Sequence, residues 1–79
     1  MTVSEFYLID KIIQRALRHH PKAQRGEVAW FLEQARDMPA DKIDEEIDYC
    51  RHVYRWNGDT VRAVRTGLRI MREKGLLGR

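Results

Sequence analysis

Apolar residues recurring every three or four positions, interrupted at Pro21, Pro39, Asn57-Gly58 and Gly75, constrain this chain more than any other feature of it. Such spacing lines one face of a helix, whereas no stretch shows the period-two alternation of a half-buried strand. The pattern predicts an all-α fold, a compact bundle of about four helices over residues 4–20, 25–37, 41–55 and 60–74, with a helix-turn-helix-like C-terminal half. A length of 79 residues leaves room for a single domain, 1–79, and one small core, marginal unless a partner, a dimer or a ligand adds to it.

Local signals sharpen these bounds. Thr2 and Glu5 have the spacing of a capping box at the start of the first helix, and Phe6, Ile9, Ile13 and Ala16/Leu17 mark its inner face, widened by Leu8 and Ile12. Pro21 ends that helix. In the second, Val28, Phe31, Leu32 and Ala35 repeat at helical spacing with Trp30 to one side; its start is open, since Pro21 also suits an early helical position. After Met38-Pro39-Ala40, Asp41 is the expected cap of a third helix whose inner stripe is Ile43, Ile47, Cys50 and Val53/Tyr54. In Trp56-Asn57-Gly58-Asp59, Asn-Gly supplies residues tolerant of positive φ and Asp59 a cap for the fourth helix, which Gly75 should stop. Leu76 and Leu77 then fold back onto the core.

Composition excludes several function classes. The only cysteine is Cys50, expected in the core, so neither an intrachain disulfide nor a cysteine metal cluster is available. With no secretory leader, a cytoplasmic location is expected. The longest apolar run, Phe6 to Ile9, is far short of the roughly 20 residues that span a bilayer, so no membrane is expected either. His19, His20 and His52 do not make a metal site by spacing, since adjacent histidines on a helix diverge by about 100°. The carboxylates at 41–48 fit the electrostatics of a helix start better than acid-base catalysis. Nothing assembles a recognisable catalytic set, so a binding role is expected rather than an enzyme, without cofactor or metal.

Charge is unevenly placed. Residues 1–48 hold seven Lys/Arg against ten Asp/Glu, and residues 49–79 hold eight against two, so the positive field belongs to the C-terminal third. On a helical wheel Val61, Val64, Gly67, Leu68 and Met71 share one arc of the fourth helix, and Arg62, Arg65, Arg69 and Arg72 share the adjacent arc. No acid is interleaved in that stripe, so i,i+4 ion pairs within the helix do not explain it. Four guanidinium groups along about 15 Å of helix match phosphate oxygens and guanine edges, and Arg51 and Arg55 extend the patch. Ile70 falls on the arc opposite the buried one and is expected to be exposed, as a contact for a partner. Trp30, Tyr49, Tyr54 and Trp56 either stack on bases or serve core and interface packing.

The segment from Thr60-Val61-Arg62 through Leu68 to Lys74-Gly75-Leu76, with Trp56 before its polar turn, resembles the recognition-helix region of winged helix-turn-helix regulators, penicillinase-repressor-type proteins among them. The resemblance covers roughly 20 residues of the chain. It implies that Thr60, Arg62, Arg65, Thr66 and Arg69 face DNA while Val61, Val64, Leu68 and Leu76 pack inside. The third helix is longer than the usual positioning helix, and no β-hairpin wing follows before Arg79. The expectation is therefore a small DNA-binding regulator with Arg55, Thr60, Arg62, Arg65, Thr66, Arg69 and Arg72 at its interface, monomeric or homodimeric. The rival is a protein-interaction module, such as a small inhibitor or adaptor encoded by a phage or other mobile element.

Overall fold

The computed structural model describes residues 3–77 and has four helices: α1 (Val3–His19), α2 (Arg25–Ala35), α3 (Ala40–Val53) and α4 (Gly58–Glu73). The described residues contain no strand. The chain forms a helical bundle, with α4 packed on both α1 and α2, α1 packed on α2, and α3 standing further off. Phe31, Ile9, Leu32, Ile47, Met71, Val28 and Val64 are the largest side chains wholly removed from water, and together they draw all four helices onto one centre. A radius of gyration of 11.5 Å matches the roughly 11–12 Å expected of a folded chain of this length.

Most of the predicted inner faces are the observed ones, and the departures have local causes. Phe6 is on the buried arc of α1 but in its first turns, where nothing covers it, and is 57% exposed. The Thr2 half of the capping box lies outside the described residues, while Glu5 reaches Arg36 at the far end of α2 with a 2.7 Å ion pair. Helix α2 ends two residues early because Asp37 and Met38 donate to the carbonyls three residues back, Gln34 and Ala35, and tighten into a turn. Asp41 is not the cap of α3. That helix starts one residue earlier behind the extended Pro39, without a side-chain cap, and Asp41 sits in its first turn, where its charge still opposes the positive helix end. Its inner stripe stops at Cys50, since Val53 and Tyr54 are about half exposed where the chain departs.

The turn between α3 and α4 is built differently from the expectation. Arg55, not Asn57-Gly58, takes the left-handed conformation, with φ of 55°. Asn57 instead caps α4, its side-chain oxygen accepting the Thr60 amide at 2.7 Å, and Asp59 lies inside the helix. At the other end the expectation holds: Gly75 has φ of 71° and Leu76 is buried, its amide donating to the Met71 carbonyl at 2.8 Å.

Ile70 is buried, which corrects its expected exposure. Because α1 and α2 both pack on α4, its covered arc widens to about 160°, running from Ile70 and Ala63 through Gly67 to Leu68. Gly67 allows this closeness. A Cβ there would collide with Leu32 Cδ1 and stand 3.0 Å from Leu32 Cδ2.

Candidate nucleic-acid interface

The N-terminus of α4 is clamped by the loop between α1 and α2. The Lys22 amide donates to Asp59 Oδ2 at 3.2 Å, Asn57 Nδ2 donates to the Lys22 carbonyl at 3.0 Å, and the Asn57 amide donates to Gln24 Oε1 at 3.0 Å. Thr60, wholly buried, completes the clamp: its hydroxyl accepts the Gln24 amide at 2.7 Å and lies 2.9 Å from Gln24 Oε1 and 2.8 Å from Asn57 Oδ1. Its single proton serves one of those two acceptors, each of which also receives a backbone amide.

Thr60 therefore cannot face DNA, and the implied role is withdrawn: its hydroxyl is spent inside the protein. Thr66 is partly buried, with its hydroxyl 3.2 Å from His20 Nε2, so it too is engaged internally. What remains of the expected interface is arginine. Arg62, Arg65, Arg69 and Arg72 are all exposed, on an arc of about 80° centred opposite the buried one, the outward crest of α4 rather than its flank.

The stripe is not free of acids, contrary to the sequence reading. Arg62 Nη2 donates to Asp59 Oδ1 one turn upstream, and Arg65 Nη1 approaches Asp44 Oδ1 of α3 at 3.4 Å. The Arg62 hydrogen bond, opposed by partial burial and aided by the Arg62 charge, the Lys22 amide and His20, holds the Asp59 carboxyl below its ordinary pKa. Arg55, Arg69 and Arg72 have no ion-pair partner among the described residues. The Arg65–Asp44 tie is a solvent-exposed pair, of the kind typically worth about 0–1 kcal/mol, so an approaching phosphate competes with it on nearly equal terms, whereas the Asp59 partner of Arg62 is partly buried and holds it more firmly. Arg51 from α3 joins Arg62 and Arg65 around a shallow groove of about 280 Å³ floored by Trp56, Gly58 and Val61. The Arg62 guanidinium lies over Gly58, 3.2 Å from where a Cβ would be.

No family model, curated protein or solved structure matches this chain.

Cys50 is buried, and its thiol pKa is raised, first by burial and then by Glu46 and Glu27, which keeps it in the unreactive thiol form. No group of three or more His, Cys, Asp or Glu side chains able to hold a metal occurs among the described residues, and none of their helices is long and apolar enough to cross a membrane. Two features escaped the sequence reading. Asp44 reaches α4 from twenty-one residues away, a juxtaposition no local pattern encodes. Glu27 accepts the indole N–H of the buried Trp56 at 2.9 Å, and only its spacing of three from Trp30 hinted at a shared face.

Proposed function

We propose that this protein binds nucleic acid, duplex DNA in the first instance, by laying the outer crest of α4 along the phosphate backbone. The observation that carries the reading is the row of exposed arginines, 62, 65, 69 and 72, directly opposite the buried arc. Rigid support from below and guanidinium forks above suit phosphate contact, and release of condensed counterions supplies the driving force. With Thr60 and Thr66 engaged internally, few groups are left to read base edges, so backbone contact outweighs base readout, and any regulatory role would rest on Arg62, Arg65 and Arg69 reaching guanine edges.

The test is a mobility-shift titration with a mixed-sequence duplex at 50 and 200 mM salt. Engagement of four phosphates predicts an affinity loss of roughly 100-fold between the two, and a salt slope reduced by about 2–3 in the Arg65→Ala, Arg69→Ala, Arg72→Ala triple variant. Arg62 is left in place there because it secures Asp59 at the helix start. Absence of binding by the parent protein, or binding indifferent to salt, rejects the reading.

A protein-interaction role is favoured by a separate observation, the exposed Trp30, Tyr49, Val53 and Tyr54 of α2, α3 and the turn after it.

A further inference from the structure

Three exposed rings meet at right angles where α2 faces the end of α3. The planes of Trp30 and Tyr54 are 90° apart with centroids separated by 6.2 Å, and Tyr49 stands at 86° to Tyr54, 6.0 Å away. Trp30 and Tyr54, together with Glu27, line a hollow of about 290 Å³. Both rings border that hollow, and an aromatic quadrupole holds a cation within roughly 6 Å of a ring centre.

The third wall carries charge. Glu27 is pinned by the Trp56 indole on Oε1, and its Oε2 has no hydrogen-bond partner among the described residues, so one carboxylate oxygen is left for an occupant of the hollow. A phosphate would be repelled here, and a neutral apolar group would leave the carboxylate unanswered. Among the described residues no cation of the protein stands over Trp30 or Tyr54; the ring that carries one is Tyr7 of α1, with Lys11 Nζ 5.2 Å from its centroid.

We propose that Trp30, Tyr54 and Glu27 form a binding slot for an organic cation, an alkylated ammonium or a guanidinium group, either free or carried on the side chain of a partner polypeptide. The rings hold the cation by its charge and its methyl or planar surface, and Glu27 supplies the counter-charge. This site is independent of the arginine crest, so either can fail without the other.

The experiment follows the two indole N–H resonances of the full chain, Trp30 exposed and Trp56 buried, during titration with choline, with its neutral isostere 3,3-dimethylbutan-1-ol, and with the N-acetyl amides of arginine and trimethyllysine. Expected is a saturable shift of the Trp30 resonance with a cation Kd of about 1–10 mM, and at least tenfold weaker binding of the isostere. Glu27→Gln keeps a carbonyl oxygen for Trp56 and removes the charge, and should weaken the cation at least about threefold; Trp30→Leu should abolish binding with the helical circular dichroism unchanged. Tighter binding of choline than of the amides identifies a free cation as the ligand, and the reverse identifies a side chain. Equal binding of isostere and choline, no saturable shift from any cation, or a nucleoside monophosphate displacing choline from Trp30 would overturn the proposal.

Discussion

Helices α3 and α4 are similar in length and joined by a four-residue turn, yet the protein treats them oppositely. Along α4, Thr60, Ala63, Val64, Gly67, Leu68, Ile70 and Met71 are buried, the start is capped by a side chain and clamped by a neighbouring loop, and the end is closed by a glycine and a buried leucine. Along α3 only Ile43, Ile47 and Cys50 are buried, no side chain caps the start, and the last turn opens into exposed Val53 and Tyr54. The surfaces follow from that difference. Deep burial of one side of α4 lets its other side be predominantly cationic without loss of order, because the apolar side alone secures the helix. The shallow seat of α3 leaves aromatic rings on the surface, where they are held by one another and by Trp30 rather than by the core.

The strongest way to break this contrast is at the closest contact beneath α4. Gly67→Ala should destabilise the protein by about 1–2 kcal/mol, the overpacking against the fully buried Leu32 exceeding the roughly 1 kcal/mol that alanine gains by helix propensity. In a Leu32→Ala background the same change should become neutral or favourable, and denaturant unfolding of the four proteins measures the coupling. If Gly67→Ala is harmless in the parent, α4 is not seated as tightly as described.

A smaller effect is expected at the clamp. Thr60→Val keeps the shape of a fully buried side chain but leaves the Gln24 amide without its 2.7 Å acceptor, a loss of about 2 kcal/mol. Thermal unfolding gives the number, and since Thr60 does not reach the surface, binding to DNA by the folded variant should be unchanged. Reduced affinity with intact stability would restore Thr60 to the interface and weaken the internal account of it.

The least disruptive test sharpens the comparison without mutation. Amide hydrogen exchange should be at least about tenfold faster in the last turn of α3 than at Val64–Leu68 of α4, because local opening there exposes little apolar surface. Equal protection would mean that the two helices open together and that the aromatic patch is part of the core's cooperative unit.

How far the sequence could be read depends on the range of the interaction. Positions of all four helices, the left-handed Gly75 and the buried leucine after it were legible because each is set by neighbours within about one turn. Errors of capping arose where two good candidates lay side by side: Asn57 displaced Asp59, and Pro39 with the helix start behind it displaced Asp41. The left-handed residue of the turn was misplaced for a similar reason, since Asn57 was needed as a cap and the reversal fell to Arg55. Among the site residues, the wheel placed the arginines together but misjudged Ile70, because the width of a buried arc depends on how many helices press on it.

The helical period and its breakers thus settled, from the amino-acid order alone, that this is an all-helical bundle with a row of guanidinium groups on one side of its last helix. Only the folded chain decided that Thr60 is interior, that Asp44 tempers one of those arginines, and that Glu27 shares a hollow with two rings. The first group of facts is carried by spacing along a single helix, and the second by distances between segments that are remote in the chain and meet only when the core closes.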